Sequence, residues 1–345
     1  MCFFACNIGK AFLDGIYDFF FSKTNKDDNK IFPPNQVKDA FKFMYDDSEI
    51  FWCEWWTIYF HGKKDDKICG MINYIFVKGL NQIGKCIIYP ALCVDGNKFN
   101  SWDTYSLDSF NINNEKVSID KHSINKISEE KYSFIGESSN QIKWDLCIEK
   151  KKYDSLNVAQ KIKIGFDTPI NIPISQNLSF LSILPLGNVT GSISINGIDH
   201  DIELVGEMEH LWGPAILPTL NWNLLFGSDD NDNIIYWLHA PNTSTSEERG
   251  CIHLNLNNKK YYIRDYDVNE YKSNNRYPDR VLITALYENI TIEYNNLSIS
   301  ASNDDSASEN HSAIKINCDD KEYILYGMAE YHRTSDKKKI EINYH

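Results

Sequence analysis

Beyond residue 50 the chain keeps a period of two, and that pattern restricts it to strands. The runs "FWCEWWTIYF", "CGMINYIFV" and "KCIIYPALCV" alternate or stay apolar over strand lengths, with Lys/Asp or Gly/Asn turns between them. Shorter runs follow, among them "KYSFIG" and "IKWDLCIEK". The second half repeats the texture in "HDIELVGEMEHLWG", "WNLLFGS", "NIIYWLHAP", "RVLITALY" and "EYILYGMAEYHR". Many short strands with regular turns form a barrel or a sandwich. The second half has enough of them to close a barrel. The polar tract "SASNDDSASENHS" reads as the tip of a long hairpin.

Helical spacing is confined to the first 46 residues, so three segments are expected: a helical N-terminal segment over 1–46, a β domain over 47–160 and a second over 161–345. The charged, weakly patterned "KKKYDSLN" marks the break between the β domains. In the first segment Phe4, Ile8, Phe12, Ile16 and Phe19 share one helical face, while Lys10 and Asp14 interrupt the apolar stretch. That excludes a transmembrane helix and makes a poor signal peptide. A helix packed on the body of the protein fits this face; a helix lying on a membrane surface is the alternative, giving peripheral membrane contact.

Composition narrows the partners. A net charge of −13 argues against nucleic acid as the main partner. Nine cysteines, an odd number without paired spacing, point to a reducing, cytoplasmic setting. Aromatic residues make up 13% of the chain, which strands and ligand cavities both favour.

Side-chain alternation selects the candidate site. In "FWCEWWTIYF", Trp52, Glu54, Trp56, Ile58 and Phe60 share one face. An acid between two tryptophans is either tied to a cation or the backbone, or set up to move a proton. In "ELVGEMEHLWG", Met208, His210 and Trp212 share one face, with Glu207, Glu209 and Leu211 on the other. Downstream lie Trp222, then Trp237 and His239 on one face of "IIYWLH", and Glu330 in "YGMAEYHR". Glu54, His210 and His239 are the candidate catalytic groups; Trp52, Trp56, Met208, Trp212, Trp222 and Trp237 are the candidate substrate-binding ones. Histidines 200, 210, 239 and 253 could meet across strands as a metal site, but no ligand spacing supports one, and none is expected.

The combination of "CEWWTIYF", "GSISINGIDHDIELVGEMEHLWG", "LNWNLLFG" and "YGMAEYHR" resembles the AttH/CrtC family of lipocalin-like proteins, which includes carotenoid 1,2-hydratases and Diels–Alderase-type pericyclases. Glu54, Trp55 and Trp56 match its opening acid-aromatic pattern. Gly206, Glu209, His210, Trp212 and Gly213 match its central signature; Trp222 matches part of the next segment, and Gly327 to Glu330 the last. The resemblance implies an all-β fold of two consecutive lipocalin-like antiparallel barrels. It implies chemistry without a cofactor on apolar terpenoid or polyketide-type substrates: cyclisation, isomerisation or hydration. In the hydratase branch an Asp on the strand after the signature supplies the proton; here that strand carries His239 and no Asp. A lipid-binding or lipid-transfer role, as in stress-survival relatives, is the alternative implied.

Overall fold

The computed structural model describes residues 41–45, 52–62, 68–79, 84–151, 159–167, 173–213, 222–239, 250–272, 277–303 and 307–332, with 159–167, 173–178, 298–303, 307–309 and 332 described by backbone alone. Within them the chain forms two antiparallel sheets and one short 3-10 turn, Leu107–Ser109.

The first sheet begins with the meander β1 (Trp52–His61), β2 (Ile68–Lys78) and β3 (Gly84–Val94). Both β4 (Asn97–Asn100) and β5 (Asp103–Tyr105) pair with β3. A second meander contains β6 (Phe110–Asn113), β7 (Lys116–Ile119), β8 (His122–Ser128), β9 (Lys131–Glu137) and β10 (Ile142–Lys150). Next, β11 (Ala159–Asp167) pairs with β12 (Pro173–Ile195), which forms a long hairpin with β13 (Ile198–Gly213). That hairpin joins the two meanders, because β13 lies against β1 and β12 against β10.

Asn196 and Gly197, both at positive φ, make the hairpin turn, the chemistry a two-residue loop between right-twisted strands demands. At Gly206 the strand passes so close to the Tyr59 carbonyl that a Cβ would collide with it. The sheet wraps as a half-barrel. Trp144 Nε1 of β10 donates to the Tyr74 hydroxyl of β2 (3.1 Å), which donates in turn to the Ile135 carbonyl of β9 (2.9 Å). Phe110 packs against Phe76 and Trp56.

The second sheet contains β14 (Trp222–Ser228), β15 (Ile234–His239), β16 (Gly250–Leu256), β17 (Lys259–Ile263) and β18 (Tyr266–Tyr271). It continues through β19 (Arg280–Ala285), β20 (Ile290–Asn303), β21 (Ala307–Cys318) and β22 (Lys321–His332). Its order runs β17-β16-β15-β14-β22-β21-β20-β19-β18. Only Arg264 and Asp265 separate the two edge strands in the chain, so the sheet curls into a nearly closed barrel. Leu225, Trp237, Ile252, Ile283, Tyr294 and Ile314 are part of its core.

The expected two-barrel, all-β architecture is therefore the one observed, but the division between sheets differs. It falls between Gly213 and Trp222, not at 160/161, since β12 and β13 complete the first sheet. The polar tract after residue 299 stays paired as far as Asn303 with Ala307, so strand replaces most of the expected hairpin tip. Of the expected helical segment 1–46, only 41–45 is described; Phe41 is a turn residue and Lys42–Tyr45 is irregular. The amphipathic face from Phe4 to Phe19 lies outside the described residues. Among the described residues, no helix is long and apolar enough to cross a membrane, and the described cysteines are free thiols.

Candidate functional site

Every residue of β1 is buried, because each of its faces meets a different core. One face looks into the first half-barrel. There the register pairs Glu54 with Trp212 and Trp56 with His210. The Glu54 carboxylate, fully buried, accepts from the Met44 backbone N–H (3.0 Å to Oε1, 3.2 Å to Oε2) and from Trp52 Nε1 (3.0 Å to Oε2). Its Oε1 lies 2.9 Å from His210 Nε2. Both carboxylate oxygens already serve as acceptors, so Nε2 is assigned as the protonated nitrogen and donates to Glu54. Nδ1 has no hydrogen-bond partner among the described residues. Trp56 stacks on the imidazole at 4.5 Å between centroids and 14° between planes; Trp212 lies 4.6 Å away at 40°. Met208 is buried on the same face of β13. Phe43, Tyr45, Phe76 and Phe110 extend this aromatic lining.

The opposite faces of β1 and β13 form the seam with the second sheet. Here three buried glutamates meet hydroxyl and indole donors. The Tyr59 hydroxyl donates to Glu330 Oε2 (2.6 Å) and Trp222 Nε1 to Glu330 Oε1 (3.1 Å). The Tyr236 hydroxyl donates to Glu209 Oε2 (2.9 Å), and that of Ser182 to Glu207 Oε2 (3.3 Å). Glu207 Oε1 has no hydrogen-bond partner among the described residues. Burial, followed by the charge of Glu330, pushes the Glu209 carboxyl up to about 8. Burial, followed by Glu209, holds Glu207 well above the carboxylate range. Apolar packing surrounds the cluster, with Trp55 stacked on Trp222 and Phe180 against Tyr236.

The structure thus brings Glu54, His210, Trp52, Trp56, Met208 and Trp212 together and separates them from the other candidates. Trp222 lies at the seam. His239 and Trp237 belong to the second sheet's own interior, where the imidazole stacks on the indole (5.2 Å) and its Nδ1 lies 3.1 Å from the Tyr266 hydroxyl. The four candidate metal-site histidines do not converge: His210 pairs with Glu54, His239 with Tyr266, His253 Nε2 with Cys251 Sγ (3.0 Å), and His200 lies near the turn of the long hairpin, opposite Ile193. Sequence reasoning missed Met44, Tyr59, Tyr236 and Ser182. Tyr59 shares a β1 face with Trp55 and Thr57, a signal available from alternation; Met44 acts through its backbone N–H from an irregular segment, and Tyr236 and Ser182 reach their partners from other strands.

No protein-family model and no curated protein matches this chain. Solved structures do. AttH from Nitrosomonas europaea superposes with a TM-score of 0.55 at 11% identity, over 84% of this chain and 94% of that one. The fold is that of the AttH-like proteins. Kievitone hydratase from Nectria haematococca gives 0.57 at 13% identity over 82% of this chain and 89% of its own. CghA with Sch210972 gives 0.54 at 8% identity over 83% and 89%.

Proposed function

We propose that this AttH-like chain is an enzyme that works without a redox cofactor on an apolar, unsaturated terpenoid or polyketide-type molecule, by acid-assisted cyclisation, isomerisation or hydration. The observation that carries this reading is the Glu54–His210 pair held between Trp56 and Trp212. Glu54 fixes the ring through Nε2, leaving Nδ1 to hold the mobile proton. In the proposed step the Nδ1–H bond breaks and its proton adds to a substrate alkene carbon, leaving a cation on the adjacent carbon. An indole face stabilises such a cation by about 2 kcal/mol or more when water is excluded. The cation loses a proton back to Nδ1 directly, or is first attacked by a second double bond or by water, and the new carbocation or oxonium then returns its proton to Nδ1. These outcomes are isomerisation, cyclisation and hydration respectively. His210 is the proposed acid and base, Glu54 the positioning residue, and Trp52, Trp56 and Trp212 the lining. Similarity in fold to a protein named a hydratase supports the reading.

Carriage of a lipid without chemistry is the second reading, favoured by the full engagement of Glu54 by three donors. One experiment separates them. The purified protein is extracted for bound apolar molecules, and those found are offered as substrates to wild type, His210→Asn and Trp212→Ala. Enzyme action predicts conversion that falls by about 10²–10⁴-fold in His210→Asn while binding persists. Binding without conversion by wild type, unaffected by His210→Asn, would establish carriage instead.

A further inference from the structure

The seam between the sheets holds ionisable groups that the proposed chemistry leaves unused. Glu207 and Glu209 project from alternate positions of β13 into the region filled by β14, β15 and β22. Around them stand Tyr59 from β1, Ser182 from β12, Trp222 from β14, Tyr236 from β15 and Glu330 from β22. Tyr59, Tyr236, Glu207 and Glu330 are the groups there that bear on Glu209 by charge or hydrogen bond. Among the described residues no Lys, Arg or His makes an ion pair or hydrogen bond with Glu207 or Glu209. Two adjacent buried carboxyls without a cation cannot both ionise at low cost. The only donors are neutral hydroxyls, Ser182 on Glu207 and Tyr236 with Tyr59 on Glu209, and Glu207 Oε1 has no partner among the described residues, so no cation balances that charge.

We propose that this seam is a proton-operated latch: with Glu207 and Glu209 protonated the two sheets pack closed, and ionisation of Glu209 loosens β14 and β15 from β13.

The direction follows from proton linkage. The closed seam raises the Glu209 carboxyl from 4.5 to about 8. Its contribution to closure is complete below about 4.5 and is lost as pH rises through about 8, where the closed state gives up its proton. Burial and the charge of Glu209 raise Glu207 as well, so its proton acts in the same direction. Tyr59 and Tyr236 are both pushed well above the ordinary phenol range by burial, so they remain donors throughout.

Hydrogen exchange of the full chain tests the latch, with amide protection corrected for the intrinsic pH dependence of exchange. In wild type, protection of β14 and β15 should fall between about pH 6 and 8. The loss per pH unit should exceed that of Glu209→Gln by up to tenfold, the linkage of one proton. Exchange in β7–β9, away from the seam, should be equal in the two proteins. Tyr236→Phe removes a donor that favours the ionised acid, so its loss of protection should move to higher pH. Equal pH profiles for wild type and Glu209→Gln would overturn the proposal. Should Glu209→Gln not fold, Tyr236→Phe decides: an upward shift supports the latch, and an unshifted profile overturns it.

Discussion

The two faces of the paired strands β1 and β13 both bury carboxyl groups in dry surroundings and handle them differently. On the half-barrel side Glu54 meets an imidazole, an indole N–H and a backbone N–H. On the seam side Glu207 meets the Ser182 hydroxyl, Glu209 those of Tyr236 and Tyr59, and the two acids meet each other. A buried acid with a basic partner and several donors gains an oriented pair; a buried acid without one is stable chiefly when it keeps its proton. Burial alone therefore does not set the state of a carboxyl. The partners that neighbouring strands supply decide it.

The largest expected effect that would break this contrast is His210→Ala. Glu54 would lose its basic partner and the two tryptophans their shared contact, at a cost of about 3–5 kcal/mol; urea denaturation at neutral pH measures it. Next comes Glu54→Gln, which keeps the shape and removes the charge. A loss of about 1.5–3 kcal/mol is expected, the worth of a hydrogen bond to a charged group. On the seam side the sign should reverse with pH. Glu207→Gln should be within about 0.5 kcal/mol of wild type in mild acid, as an undemanding substitution would be. It should become the more stable protein as pH rises above the ordinary carboxylate range, because the unfolded chain then releases the Glu207 proton that the seam retains. The smallest effect is Ser182→Ala, which removes one hydroxyl donor and should cost about 1 kcal/mol in the same assay. Equal responses of Glu54→Gln and Glu207→Gln at every pH would erase the distinction between the faces.

Alternation made much of this legible in the sequence. It separates Glu54 from Cys53 and Trp55, and His210 from Glu207 and Glu209, because a strand needs no partner to define its two faces. What lies opposite each face was not legible. The pairing of Trp56 with His210 joins sheet neighbours that are separated in the chain by β2 to β12, and its register depends on a hairpin that closes that sheet from beyond the charged break near residue 150. The same closure explains the misplaced division at 160/161: a weakly patterned stretch marked a loop, whereas the sheet continued past it. Grouping His239 and Trp237 with the signature strand rested on nearness in the chain, and the intervening change of sheet turns them into another interior. The resemblance to AttH-like proteins gave the fold, which solved structures match at low identity; it did not give the seam.

The Asn196–Gly197 turn and the Gly206 crossing also limit how β13 can vary over evolutionary time. Single replacements on one face leave the other undisturbed, so the half-barrel interior and the seam can diversify separately. A one-residue insertion or deletion between the turn and His210 would exchange the faces, driving glutamate among the tryptophans and histidine into the seam. Substitution is open to this strand; a change of length is closed to it.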